Sequence, residues 1–380
     1  MSFAEGMEKR LSYVEEINYG ETPGSPSMKS LRINDGENLN KSVETAISNE
    51  IDGDPQIKDE RHLYSEVTGD IPMPFCFQDV DDFLEAVFGG TWTSTAPVSG
   101  ITISAAATGS TIADSANGFG EFKAGDWITT SGFATGANNG TFLVTAASAA
   151  SLTVDATLVD EAAGASVTVT RNKRLEIGST KRSFTIERHY SDIDKYRCMS
   201  GVVLRSLQAS FSPRQEAVLT FGAIGKDQPP AAVTLGAPSD PTSNKPIAGI
   251  DVSAITVDGA SIAKVTSIEL NLDRGGKGLE ALGSKTPIAV ALGRVNVTAK
   301  LSLYYEDDTF TDKFLGETEF KVAWSVTDLA GNTYHFTMDR LKASSETIDG
   351  GIEDPLIQGL DCRALKHADN GSIYVVAVPA

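Results

Sequence analysis

Two short stretches of this chain read almost alike: Ser183 to Arg188 is SFTIER, and His335 to Arg340 is HFTMDR. Each alternates apolar and polar residues, the period of a strand with one buried face. The likeness extends beyond them. MPFCFQDVDDFLEAVFG (73–89) lies on KLSLYYEDDTFTDKFLG (300–316) without a gap, so that Phe83 meets Phe310, Val87 meets Phe314 and Gly89 meets Gly316. RSLQAS (205–210) matches RLKASS (340–345), KSLRIN echoes TSIELNLD, and AVLTFGA and PLIQGLDCRA close the two units. A chain that writes strand, helix and strand pair twice is expected to fold as two similar domains behaving as a fixed dimer. The repeat positions are Phe83, Val87, Phe184, Ile186 and Arg188 in one copy, and Phe310, Phe314, Phe336, Met338 and Arg340 in the other. A closed head-to-tail ring of three such chains would present six similar units.

Between strands the period changes once, clearly. Val80, Phe83, Leu84, Val87 and Phe88 form a stripe at helical spacing, behind acids at Asp79, Asp81 and Asp82 that suit the start of a helix. Gly89 supplies the stop. Elsewhere, 35 Gly and 15 Pro with many Ser, Thr and Val favour a turn-rich, mainly β chain. Residues 1–28 end in ETPGSPS and read as an N-terminal arm, ordered only by a neighbour. Residues 29–96 and 171–226 read as one discontinuous domain, containing a polar excursion over 35–70 with a strand near His62 to Val67. Residues 97–170 are small, poor in basic residues and alternating, so they read as an inserted β module of five or six strands. Trp127, Phe119, Phe122, Phe133 and Phe142 are available for its core. Pro-rich residues 227–248 form a linker, and 249–380 the second domain, with SIYVVAVP at a sheet edge.

The search for chemistry returns little. His62, His189, His335 and His367 lack metal-ligand spacing, and HExxH and CxxC do not occur. Cys76, Cys198 and Cys362 read as buried hydrophobes. His189 near Asp192 and Asp194 has no nucleophile motif beside it, and RGGKG (274–278) lacks the strand–loop–helix setting of a phosphate cradle. The adjacent acids of YYEDD lack calcium-loop spacing and read as solvated turn residues. No catalytic residue, metal or cofactor is therefore assigned. A formal charge of −19 argues against a protein that clamps DNA by neutralising phosphates. The N-terminal residues lack a signal-peptide pattern, and no apolar run approaches the ~20 residues of a membrane helix.

At this point a resemblance enters. KRLEIGSTKRSFTIERHYSDIDKYRCMSGVVLRSLQASFSPRQEAVLTFGAIG and FLGETEFKVAWSVTDLAGNTYHFTMDRLKASS resemble the two halves of the tail tube proteins of bacteriophages with long, non-contractile tails. The resemblance omits residues 97–170. It implies duplicated β-sandwich or barrel-like tube domains, each with one short helix, whose rings stack into a hollow virion tail assembled in the host cytoplasm. Its implied partners are further copies of the chain, the tape-measure protein, and tail terminator and distal tail proteins, with DNA passing through an acidic bore. The implied interface elements are the arm, the 35–70 excursion and the inner-sheet strands, with the inserted module outside the tube. Two rivals stand beside this reading: a tube-forming secretion protein, and a carbohydrate-binding or adhesin-like β protein with Trp127 as its binding residue.

Overall fold

The computed structural model of the chain describes every residue except 1, 2, 4, 52, 232 and 254. In the first half lie β1 (Lys9–Glu15), β2 (Lys29–Leu31), β3 (Asn40–Ile47), β4 (Glu60–Pro74) and α1 (Asp81–Phe88). Seven short strands follow: β5 (Val98–Gly100), β6 (Ile103–Ala106), β7 (Thr111–Asp114), β8 (Trp127–Ser131), β9 (Gly140–Ala147), β10 (Ser151–Val154) and β11 (Val167–Arg171). Then come β12 (Lys173–Glu176), β13 (Phe184–Tyr190), β14 (Lys195–Phe211), β15 (Val218–Gly225) and β16 (Pro230–Ala231). The second half has β17 (Ile255–Val257), β18 (Ala260–Ile262), β19 (Val265–Asp273), β20 (Lys277–Leu279), β21 (Ala289–Ala291) and β22 (Asn296–Tyr304). It ends with α2 (Thr309–Leu315), β23 (Phe320–Thr327), β24 (Thr333–Asp349), β25 (Ile357–Ala364) and β26 (Tyr374–Val378).

Pairing partners reveal two blocks built alike. β3, β4, β15 and the C-terminal half of β14 lie side by side, and β19, β22, β25 and the C-terminal half of β24 repeat that order. β14 also pairs with β19, from Ser206↔Asp273 to Phe211↔Ile268, so the blocks fuse into one antiparallel layer of eight strands. The N-terminal halves of the long strands turn into a second layer, where β14 pairs with β13 and β24 with β23. β1 flanks β13 as β17 flanks β23. One apolar core fills the space between the layers, contributed by both blocks.

This topology corrects the repeat read from sequence. SFTIER begins the first hairpin as β13, whereas HFTMDR belongs to β24, the long second strand of the other. Each hairpin has one bulge, after Phe184 and after Phe320, and these set Ile186↔Met199 against Val322↔Met338, so Phe184, Ile186 and Arg188 are not the counterparts of Phe336, Met338 and Arg340 in the repeat. Alternation causes the false match: any two strands with one buried face can be laid on each other. KSLRIN is likewise not the counterpart of TSIELNLD, because β3 and not β2 holds the place of β19.

The helix reading needs no such revision. Val80, Phe83, Leu84, Val87 and Phe88 are all fully buried, each side chain contributing about 1.5–3 kcal/mol on burial. Gly89 caps α1 at φ 64°, a left-handed conformation that glycine adopts at no steric cost.

Residues 9–28 depart from the expected arm. β1 runs beside β13 for its whole length with Leu11 and Tyr13 in the core, and buried Glu16 accepts hydrogen bonds from Ser183, Thr185 and the Gly20 and Gly201 N–H groups. Met1, Ser2 and Ala4 of that arm lie outside the described residues. The linker is also packed rather than loose: Ile247 is fully buried, and the Asn244 amide donates to the Phe77 carbonyl. β26 lies between β24 and β12, not at an edge.

The β5–β11 strands form their own sheet over a separate apolar cluster containing Phe119, Phe122 and Phe133, with Phe142 packed against it. Trp127 does not join them. Its ring stacks on His335 at 3.6 Å and packs beside Tyr374, Val376 and Val378 of the second half.

Candidate assembly interface

Edges are the first feature of interest, because an unpaired strand edge offers its N–H and C=O groups to another chain. Among the described residues, β3 pairs only with β4, and the C-terminal half of β24 only with β25. These are the two ends of the eight-stranded layer. Beyond the layer, the β3–β4 hairpin carries Ile47, Ile51, Ile57 and Leu63, each at least half exposed or nearly so. Loose apolar side chains on a projecting hairpin are poor solvent-facing residues and good contact residues.

One face of the eight-stranded layer covers the core; the opposite face is mostly open and polar. One row across it runs Thr220, Gln208, Asn271, Thr298, Arg363, Lys342, and the next runs Ser210, Glu269, Lys300, Asp361, Ser345. In the second row Glu269, Lys300 and Asp361 alternate in sign across neighbouring strands, where opposite charges stabilise each other, while in the first Arg363 and Lys342 are neighbours. The first block presents Ser206, Gln208, Ser210 and Thr220 on β14 and β15, and the acids Glu44, Glu66 and Asp70 on β3 and β4. Charges are compensated in the second block's part of this surface, while the first block's part is acidic.

The module of β5–β11 sits on the other side, against the second layer. Arg174 of β12 is 1% exposed and ties it down: Nη1 donates to Asp126 (3.0 Å), Nη2 to Asn370 (2.7 Å), and the guanidinium lies 3.8 Å above the Tyr374 ring. His335, under Trp127, shares a 2.6 Å hydrogen bond between Nδ1 and Ser325 Oγ. Burial holds its imidazole neutral, lowering its pKa to about 3. With one ring face covered by His335, Trp127 acts as a docking residue.

The two helices have unlike surroundings. Ahead of α1, Tyr334 from β24 packs on Phe75 and Phe77, with centroids 5.2 and 4.8 Å away. Its hydroxyl donates to Asp81 and accepts the Gln78 N–H at 3.0 Å. Burial pushes the Asp81 carboxyl up to about 6 despite that bond. Thr242 and Asn244 close the neighbouring gap through Asp79 and the Phe77 carbonyl. Beside α2 an open groove of about 750 Å³ runs along the β17–β18 hairpin, lined by Val257, Ile262, Tyr304, Asp307 and Phe310 among others.

The positions singled out from the sequence fall mainly in the core: Phe83, Val87, Phe184, Ile186, Phe310, Phe336 and Met338 are buried, and Phe314 partly so. Arg188 is buried against Glu37, Asn40 and the Leu39 carbonyl, while Arg340 makes a surface pair with Glu319. They are structural positions, and their sequence likeness does not locate an interface. Tyr334 and the two edges were missed, since pairing partners leave no local signal.

Nothing in the described residues groups three or more His, Cys, Asp or Glu side chains as a metal site. His189 Nε2 lies 3.4 Å from Asp194 and its ring stacks on Tyr196. All three cysteines are free and buried, and burial pushes the Cys76 and Cys198 thiols up to about 11, which keeps them protonated and unreactive. No described helix is long and apolar enough to cross a membrane.

Comparison with known families gives one match of nearly full length. The family described as "Phage tail tube protein" covers residues 6–364. No individual curated protein matches the chain.

Proposed function

The chain belongs to the phage tail tube protein family, and from that premise we propose that it polymerises as stacked rings into the hollow tube that conducts the genome. The observation that carries this reading is the pair of bare edges at opposite ends of one eight-stranded layer. Joining the β24 edge of one chain to the β3 edge of the next is a head-to-tail contact, and such contacts close into rings when the rotation permits. Within the chain, β14 already joins β19 between blocks in the same way. Three chains would then give six like blocks and approximate sixfold symmetry.

The open polar face becomes the bore. Lys300 lies between Glu269 and Asp361, and Lys342, next to Arg363, is paired with Glu317, so a sliding phosphate backbone meets mostly compensated cations at which to release counter-ions. The β5–β11 module, lying against the second layer, is placed on the outside. The β3–β4 hairpin and the exposed Phe3, Met7 and Ile17 contact the next ring. The tape-measure protein fills the bore during assembly in the host cytoplasm, and terminator and distal proteins cap the tube.

Negative-stain electron microscopy tests this, on the purified chain alone and with the tape-measure and terminator proteins present. Hollow tubes of stacked rings are expected. A chain that stays monodisperse and monomeric under both conditions overturns the reading.

A further inference from the structure

We propose that Glu346 of one chain pairs with Lys41 of the next, taking that lysine from Asp227 and Gln228, which hold it in the free subunit. The inference rests on the ring reading above and names the register of its edge-to-edge joint and the exchange that closes it.

The joint between blocks inside the chain supplies the register. In the first block a bulge after Leu204 sets Ser206 opposite Gly222, and in the second a bulge after Ala343 sets Ser345 opposite Asp361. Ser345, Glu346 and Ile348 therefore hold the places of Ser206, Leu207 and Ala209. Toward the other edge, Gly222 pairs with Asp70 and Asp361 with Lys300, which makes Thr68 the counterpart of Thr298. Their partners Asn40 and Asn271 correspond in turn, so Lys41 and Ser42 hold the places of Leu272 and Asp273. Within the chain Leu207 pairs with Leu272 and Ser206 with Asp273. The same joint made between two chains sets Glu346 opposite Lys41 and Ser345 opposite Ser42.

The side chains suit a joint that opens. Inside the chain, where the blocks never part, Leu207 and Leu272 are both buried in the core. Between chains their places fall to a carboxylate and an ammonium, which tolerate water before assembly and attract each other after it. Glu346 is half-buried, and its Oε1 accepts hydrogen bonds from Thr311 (2.6 Å) and Gln358 (2.5 Å), while Oε2 has no partner among the described residues. Ile348, in the place of buried Ala209, is 40% exposed and gains a neighbouring strand.

In the free subunit Lys41 is met by groups of the same kind. Asp227 accepts a hydrogen bond from its ammonium, and Gln228 Oε1 accepts its backbone N–H at 3.3 Å. An incoming β24 brings both chemistries on one residue, the carboxylate and the main-chain carbonyl of Glu346. Hydrogen-bonded pairs recur at every second residue of an antiparallel ladder. Arg274 donates its N–H to the Arg205 carbonyl, so Leu272 with Leu207 is such a pair, and Lys41 with Glu346 takes the same form. The Leu39 N–H and carbonyl are already held by Glu37 and Arg188, which confines the exchange to Lys41 and the residues after it.

The test is made in the full chain with its tail partners, with tube formation read by sedimentation and microscopy. Lys41→Glu and Glu346→Lys should each lower the assembled fraction about tenfold, and the Lys41→Glu/Glu346→Lys pair should recover most of it. Circular dichroism and thermal midpoints of the unassembled variants, expected unchanged, separate assembly from folding. Asp227→Ala, which releases Lys41, should assemble at about a third of the parent's concentration; an unchanged or higher concentration overturns the exchange. Ser42→Cys/Ser345→Cys tests the register itself. Its two cysteines form a non-hydrogen-bonded pair with Cα atoms about 4.5 Å apart, so oxidised tubes should carry chain-to-chain disulfides. Tubes that lack this disulfide, or wild-type tube levels from both single reversals, overturn the contact while leaving the tube reading intact. Absence of tubes from the wild-type chain with its tail partners overturns the ring reading, and this contact with it.

Discussion

The two helices began from matching sequence and ended in different company. α1 buries five of its residues, and Phe88 at its end is fully covered; α2 buries only Phe310, and Leu315, the counterpart of Phe88, is 72% exposed. The difference lies outside the helices. After α1 the chain runs through the β5–β11 module and returns along β12, whose Leu175 joins the core and whose following Gly178 donates its N–H to the Phe88 carbonyl. After α2 only a short turn separates the helix from β23. The inserted segment thus closes one block, while its twin stays open at the same place. Two sites of similar sequence differ in whether the chain supplies its own cover.

The comparison can be broken most forcefully by removing side chains at the paired ends. Phe88→Ala should cost about 3–5 kcal/mol of stability, the range for truncating a large buried aromatic. Leu315→Ala, exposed in the single chain, should stay within about 0.5 kcal/mol. Urea unfolding of the unassembled variants measures both, and a large loss at Leu315 would mean that α2 is already covered without a partner.

A finer probe targets the polar side of the same contact. Tyr334→Phe keeps the ring on Phe75 and Phe77 but leaves Asp81 and the Gln78 N–H without their partner. The expected loss is about 1–3 kcal/mol. Tyr304→Phe, at the open counterpart, should be neutral in the single chain. Equal effects at the two tyrosines would erase the distinction between the blocks.

The most gradual effect is a pH slope where the inserted module meets the second block. His335 is held neutral with its pKa lowered from 6.5 to about 3, so the unfolded chain binds more protons than the folded one between those values. Its contribution to stability is complete above about pH 6.5 and is lost as pH falls toward 3, at up to about 1.4 kcal/mol per pH unit. Asp81 works in the opposite sense: its raised pKa makes stability fall as pH rises from 3.8 to about 6. His335→Asn should remove the first slope and leave the second, so this variant should lose less stability on acidification than the parent in thermal unfolding followed across this range.

How much of this was written plainly in the sequence depended on how local its cause was. The α1 stripe and its Gly89 stop were legible because a helix is specified by residues within a few positions of one another. Strand alternation was legible too, and it gave the mainly β fold and the separate character of residues 97–170. Which strand answers to which was not legible, because alternation is the same message in every half-buried strand; SFTIER and HFTMDR share it without sharing a place. The structural counterparts Arg197 and Phe336 have no chemistry in common, and only strand register relates them. β1 was overlooked for a related reason. Leu11 and Tyr13 alternate as strand residues should, but charged neighbours and the following Pro- and Ser-rich stretch outweighed so short a signal. Trp127 shows the limit in another form: an aromatic suited to the core of its own module is buried instead against a surface that begins some 200 positions later, near His335.

β14 and β24 each run from one layer of the sandwich into the other without a break. In a laminated wall, flexural stiffness depends on whether the laminae can slip. Here slip would require stretching a covalent chain, since the same strand is anchored by hydrogen bonds in both laminae. A bending load applied to the eight-stranded layer is therefore carried to the second layer along the backbone itself, and the full depth of the sandwich resists it as one beam.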